Sequence, residues 1–120
     1  MGEILELQSL LADFAAERAW EKFHTPKNLV MALVGEIGEL AELFQWLTPE
    51  QASEIMSGAK ADHVREEVAD VFGYILRLAD VLNIDLDEAL RAKIDSNAAK
   101  YPADVVWGRA IKYTDLQGDQ

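Results

Sequence analysis

Residues 25–47 read TPKNLVMALVGEIGELAELFQWL, and Leu29, Leu33, Ile37, Leu40, Phe44 and Leu47 recur there at intervals of three and four. That spacing gathers apolar side chains on one side of a helix, whereas a strand would alternate them. Thr25 followed by Pro26 supplies the start: a hydroxyl that caps free N–H groups, then a residue with no N–H to leave unpaired in the first turn. The segment predicts a helix from Pro26 to about Leu47. Glu36 falls inside its apolar arc, Glu39 lies at the edge beside Trp46, and Glu42 points to solvent.

Upstream, Leu5, Leu7, Leu10, Leu11, Phe14, Ala15 and Trp20 keep helical spacing with no Gly or Pro between Glu3 and His24, which predicts one helix over that stretch. Downstream, Thr48-Pro49-Glu50-Gln51 repeats the cap with a Gln three residues on, the pattern of a capping box that opens a short helix towards Ser57-Gly58. Val64, Val68, Val71, Phe72, Ile75, Leu78, Ala79 and Leu82 predict a third long helix from about Lys60 to Leu82, closed by Asn83. Asp85 with Glu88 opens a fourth, through Leu86, Leu90 and Ile94 to about Lys100, before Pro102 stops it. Pro102 to Gln120 reads as irregular, yet Val105, Val106, Trp107, Ile111 and Tyr113 make it too apolar for a free tail, so it is expected to pack on another helix or a neighbouring subunit. No stretch reads as a strand. The expected architecture is all-α, a bundle of four main helices in a single domain covering residues 1–120.

Composition narrows the function. The 120 residues hold 11 Lys+Arg against 22 Asp+Glu, a formal charge of -11 that repels a phosphate backbone, so a nucleic-acid polymer is not an expected partner. An anionic ligand would need divalent cations to neutralise its acidic site. The absence of Cys removes disulfides, thiolate metal sites and cysteine nucleophiles, and fits a reducing compartment. The opening Met-Gly-Glu-Ile-Leu-Glu has no basic leader, Glu6 stands where a myristoylation signal wants Ser or Thr, and no apolar run approaches the roughly 18 residues of a membrane span. A cytoplasmic protein with no membrane partner is expected.

The carboxylates carry the chemistry. Glu67 sits at the edge of the third helix's apolar face with Asp70 one step further out, Tyr74 between them, and Glu66 pointing away. Glu-x-x-Glu at Glu36 and Glu39 and Glu-x-x-Asp at Glu67 and Asp70 would meet if the two long helices pack antiparallel. Four carboxylates at the margin of a core repel one another and lose hydration unless a cation, a proton or a basic side chain intervenes. An all-oxygen set selects Mg²⁺, or Mn²⁺ in its place, over zinc. Di-iron bundles use Glu-x-x-His, and the corresponding places here hold Glu39 and Asp70, which argues against redox iron. The competing reading is ordinary: solvated acids paired with Lys60, Arg65 or Arg77.

Trp20, Phe23 and His24 end the first predicted helix, and Trp46 and Tyr74 lie on the carboxylate side of the next two. Such rings either stack on a nucleobase or close the core, and His24 either touches a ligand or serves as a cap. Lys93, Asn97 and Lys100 share one face of the fourth helix at i, i+4 and i+7, suited to phosphates or to pairing with Asp87 and Asp95.

Several segments together resemble the MazG-like, all-α nucleoside triphosphate pyrophosphohydrolases, and within them the dCTP pyrophosphatases. They are residues 17–24, Pro26-Lys27-Asn28-Leu29, residues 33–46, Glu66-Glu67-Val68-Ala69-Asp70-Val71, Tyr101-Pro102 and Lys112-Tyr113-Thr114. The resemblance implies hydrolysis of dCTP or a 5-modified dCTP to dCMP and pyrophosphate. It implies Mg²⁺ on Glu36, Glu39, Glu67 and Asp70, with Glu39, or Glu36, acting on the attacking water. It assigns Trp20, Phe23, His24, Trp46 and Tyr74 to the base and sugar, Lys93 and Asn97 to the triphosphate, and implies a homodimer or homotetramer. Leu11 departs from the family, where relatives can carry a substrate-contacting histidine, and the loop after Trp46 is shorter than in some. A related enzyme of broad or damaged-base specificity, and a non-catalytic acidic helical interaction module, are the alternatives.

Overall fold

The computed structural model describes residues 2–118 of the chain. It is all-α, with no strand among the described residues, and the order is α1 (Gly2–Glu17), a 3₁₀ turn (Glu21–Phe23), α2 (Pro26–Phe44), α3 (Pro49–Ser53), a second 3₁₀ turn (Ile55–Ser57), α4 (Ala61–Val81), α5 (Leu86–Lys100), α6 (Ala103–Val106) and α7 (Tyr113–Gly118). The predicted caps are in place. The Thr25 hydroxyl accepts from the Asn28 N–H at 3.3 Å, and Thr48 and Gln51 exchange both bonds of a capping box. The Asp85 carboxylate accepts from the Glu88 N–H at 3.0 Å.

The first helix is shorter than its apolar spacing predicts. It ends at Glu17 because Ala19 turns left-handed, with φ of 54°. Trp20 N–H then bonds back to the Ala15 carbonyl at 2.9 Å and Ala19 N–H to that of Ala16 at 3.1 Å, which are the two bonds of a Schellman motif. The apolar contact that accompanies this motif is Trp20 packed edge-on to Phe14, ring centres 5.8 Å apart. A side chain in this conformation costs about 1–2 kcal/mol, of which the freer glycine backbone would give part back in the unfolded state. Ala19→Gly is therefore expected to raise stability by about 0.5–1 kcal/mol in urea unfolding. A destabilised variant would show that Ala19's methyl makes a contact that outweighs the strain. Asn83, at φ of 58°, closes α4 by the same two bonds, from Ile84 to Ala79 and from Asn83 to Asp80.

Two compact units divide the chain, Met1–Ile84 and Asp85–Gln120. In the first, α4 packs along α2 and also against α1. Leu29 of α2 and Leu76 of α4 are each 2% exposed, and each such burial contributes roughly 1.5–3 kcal/mol. Gln8 of α1 is buried too, and its Nε2 donates to the Leu76 carbonyl at 3.0 Å, so this polar group enters the core with a partner. The buried face of α2 is rotated from the one centred on Leu33: Leu29 and Leu43 are buried, whereas Ile37 is about half exposed. Glu36 lies angularly between Leu29 and Leu43, in the middle of the covered face. Gly35 and Gly38 are exposed, and a Cβ at either would meet nothing within 4 Å among the described residues.

The second unit corrects the expectation of an irregular tail, since α6 and α7 follow Pro102. Tyr101 and Tyr113 meet edge to face at 6.2 Å, the Tyr101 hydroxyl accepts from the Tyr113 N–H at 3.1 Å, and Leu116 is buried. Residues 119–120 lie outside the described part.

Candidate active site

Two helices deliver the acids. Glu36 comes from the covered face of α2, and Glu67 and Asp70 from α4, where Glu67 is 6% exposed and Asp70 is open to solvent. One oxygen from each of the three lies within 4.8 Å of the others. In both Glu36 and Glu67 the Oε2 atom is buried and receives no N–H or hydroxyl donor, so a hydrogen bond between the two acids exists only when one of them holds a proton. A hydrogen bond with Glu67, then burial, then the charges of Glu39, Asp70 and Glu67 push the Glu36 carboxyl up to about 7. A proton held at Glu36 thus neutralises part of the cluster.

Among the described residues, none of the Lys or Arg side chains that would make this an ordinary acidic surface pairs with the three acids. Arg65 pairs with Asp62 at 2.7 Å, Arg77 with Asp80 at 3.4 Å, and Lys60 makes no ion pair among the described residues. His63 Nε2 approaches Glu67 Oε1 at 3.5 Å, but it is a single, mostly exposed imidazole beside three carboxylates. Orphaned buried oxygens in an all-oxygen donor set fit a hard divalent cation. Glu39 is exposed one turn further along α2 and is not one of the three converging groups.

Above the acids is a cavity of about 290 Å³. Trp20, His24 and Tyr74 stand in its wall with Leu11 and Phe14 of α1, and Glu36 and Asp70 are in its lining. Trp20 is held by the Schellman turn and the Phe14 edge, while the Arg18 guanidinium sits 3.6 Å from the Phe14 ring centre. His24 follows the 3₁₀ turn. Its Nδ1 accepts from Arg77 Nε at 3.0 Å, and burial and then the Arg77 charge hold it below the usual imidazole range, against a weaker upward pull from Glu21.

The other sequence candidates are placed differently. Phe23 is 57% exposed and Trp46 86% exposed, and neither lines the cavity. Lys93 and Asn97 are exposed on α5 in the second unit, and Asp87 pairs with Arg91 at 2.8 Å rather than with Lys93. Arg77 in the cavity wall was not among the sequence candidates. The signal for it was present, because Asp70, Tyr74 and Arg77 stand at i, i+4 and i+7 on one helix face.

Residues 32–116 match the model of the MazG-like family, a span that holds all three converging carboxylates. The chain belongs to the MazG-like family. Among MazG-like proteins it is 46% identical over 112 residues to the dCTP pyrophosphatase 1 of Bos taurus and to that of Homo sapiens. In each case the match covers 92% of this chain and 66% of the other, so the chain spans 66% of the length of these relatives. The crystal structure of a pyrophosphatase from Archaeoglobus fulgidus superposes with a TM-score of 0.78 at 40% identity, covering 83% of this chain and 93% of that one. The all-α MazG-like architecture expected from the sequence is the one observed, and the acidic triad able to bind a metal ion lies inside the matched span. No helix among the described residues is long and apolar enough to cross a membrane.

Proposed function

We propose that this chain is a Mg²⁺-dependent nucleoside triphosphate diphosphatase that takes dCTP or a 5-modified dCTP and water to dCMP and pyrophosphate. The observation that carries the reading is the pair of buried, unpartnered carboxylate oxygens of Glu36 and Glu67 beneath a cavity walled by Trp20 and Tyr74. The relatives named dCTP pyrophosphatase 1 support the substrate and the reaction. Glu36, Glu67 and Asp70, completed by Glu39, hold the cation, for which Mn²⁺ is a substitute. A divalent cation bound there supplies positive charge for the phosphate oxygens and acidity for a water.

The chain's own groups account for the rest. Trp20 and Tyr74 present ring faces to a planar base. Glu39, exposed and not one of the three converging acids, orients the water and takes its proton, with Glu36 the other candidate for that role. The water oxygen bonds to the α-phosphorus, the bond from that phosphorus to the α–β bridging oxygen breaks, and pyrophosphate leaves with the electron pair. Lys93 and Asn97 are the residues that the family resemblance assigns to the triphosphate. Phe23 and Trp46 complete the base and sugar site in a homodimer or homotetramer, an assembly supported by the exposed Leu10 of α1, Val30, Met31, Val34 and Ile37 of α2, and Phe72 of α4. The 120 residues act as a single MazG-like domain, since the family match runs across the division at residue 84, and a cytoplasmic location is supported by the cysteine-free composition.

Leu11, an apolar member of the cavity wall, favours a second reading in which the base preference is broad or extends to damaged bases. A panel of canonical and 5-modified NTPs and dNTPs with Mg²⁺ separates the two. Pyrophosphate and monophosphate formed fastest from dCTP or 5-methyl-dCTP are expected, with kcat reduced about 10²-fold in Glu39→Gln. Even turnover across bases would select the second reading. Orthophosphate as product, or no metal-dependent turnover, would overturn both and leave an acidic helical interaction module.

A further inference from the structure

We infer that Arg77 is a positioning residue for His24, fixing that imidazole as a neutral donor whose Nε2–H is offered to an acceptor oxygen or ring nitrogen of the ligand's base or sugar. The inference deepens the proposed function, because it rests on the reading of the cavity as the base and sugar site.

The geometry starts with a group that can only donate. Arginine has five N–H donors, no acceptor, and no accessible deprotonated form. Arg77 Nε lies 3.0 Å from His24 Nδ1, so Nδ1 must be the acceptor in that bond and carries no proton. In a neutral ring the proton then resides on Nε2. A doubly protonated ring would set N–H against N–H, so the same contact disfavours imidazolium. Among the described residues nothing bonds Nε2, which leaves it for a ligand in the cavity that His24 and Arg77 both line.

Arg77 is itself fixed. Its side chain is only 12% exposed, and Nη1 reaches Asp80 at 3.4 Å, one turn along α4. The backbone of His24 is held as well, by its N–H on the Glu21 carbonyl at 3.1 Å and by the Thr25 cap that opens α2 immediately after it. The ring is therefore oriented from α4 while its backbone belongs to the α1–α2 connection. A donor built in this way rejects a ligand that presents a donor at the same place, because two N–H groups would face each other in a half-buried site.

The chain has two histidines, so long-range ¹H–¹⁵N spectra of the ring nitrogens resolve His24 from His63 with one further variant, His63→Gln. The ligand-free wild type is expected to show Nδ1 unprotonated and Nε2 protonated in His24. Arg77→Met, which keeps the stem and removes the donor, is expected to give a mixture of tautomers. The same variant should raise KM for dCTP about tenfold with kcat within about twofold, and Arg77→Lys should recover part of the loss. An Nδ1–H tautomer in the wild type overturns the inference without any Arg77 variant, which keeps it testable if Arg77→Met fails to fold. It is equally overturned if KM rises while the tautomer stays fixed, since Arg77 would then touch the ligand directly, or if kcat alone falls. Should no nucleotide be turned over while the tautomer responds as expected, the proposed function fails and the Arg77–His24 relation stands.

Discussion

Glu67→Gln is expected to lower kcat/KM for dCTP by roughly 10²–10³-fold, the loss typical of removing one preorganised electrostatic group, while the metal-free protein stays at least as stable as the wild type. The substitution keeps the volume of a side chain that is 6% exposed, so packing against α2 is preserved. It removes the charge of one of three carboxyl groups whose oxygens lie within 4.8 Å of one another, and it gives the orphaned position an amide that can donate to Glu36. Against this stands the 3.5 Å approach of His63 to the Glu67 carboxylate, which the amide weakens; that imidazole is mostly exposed and contributes little. Activity and stability should therefore move in opposite directions. Retained turnover in a folded Glu67→Gln protein would remove the acidic triad from the reaction, and a large drop in its urea midpoint would show that Glu67 is a structural ion-pair residue instead.

A second large effect is the pH dependence of cation binding. Glu36 titrates from about 7 in the folded, metal-free chain against 4.5 when unperturbed. At pH 5, two units below that value, only about one molecule in 100 has Glu36 ionised, so apparent Mg²⁺ affinity is expected to be about 100-fold weaker than at pH 8 and binding to release a proton in between. The sign for stability follows from the same shift. The folded state holds this proton more tightly than the unfolded one, so its contribution is full below pH 4.5 and is lost as pH rises to about 7. His24 acts oppositely: held below its usual 6.5, it withdraws stability as the pH falls through that value. The difference in thermal midpoint between wild type and Glu36→Gln, measured without metal from pH 4 to 8, isolates the first effect. A difference that does not change with pH would mean that Glu36 ionises normally. Calorimetry in buffers of unlike ionisation heat counts the proton passed to the buffer when Mg²⁺ binds, and a count of zero at pH 6 would contradict the competition.

The long helices were legible because they are long. Nineteen residues of α2 and twenty-one of α4 give periodicity enough turns to register, and Thr25-Pro26 and Thr48-Pro49 mark helix starts with residues suited to that chemistry. Glu36 was legible because a charge inside an apolar arc contradicts its surroundings, and Glu67 and Asp70 because they border the apolar face of α4, whereas the same spacing added Glu39, which does not converge with them. What escaped was local geometry with no residue signature. Ala19 adopts a conformation usually left to Gly or Asn, and its sequence neighbours are good helix formers, so spacing alone carried the first helix on to His24. The helices α6 and α7, four and six residues long, are too short for any period to show. Leu76 lies outside the single apolar stripe read for α4, and its burial follows from α4 packing on two partners at once. The Arg77–His24 bond joins positions 53 apart, a pairing that no local pattern encodes.

The turn at Ala19 separates two kinds of inheritance. The acids ride on α2 and α4, where any change of register would misplace several of them together. Trp20 and His24 sit on the connection that begins at that turn and ends at the Thr25 cap, with their backbone N–H groups bonded to the Ala15 and Glu21 carbonyls. Drift in those few positions can thus alter the wall of the cavity without displacing any of the three acids. What the cavity admits and what keeps the acidic cluster together have partly separate addresses in this chain, Tyr74 and Arg77 being the wall residues that share α4 with two of the acids.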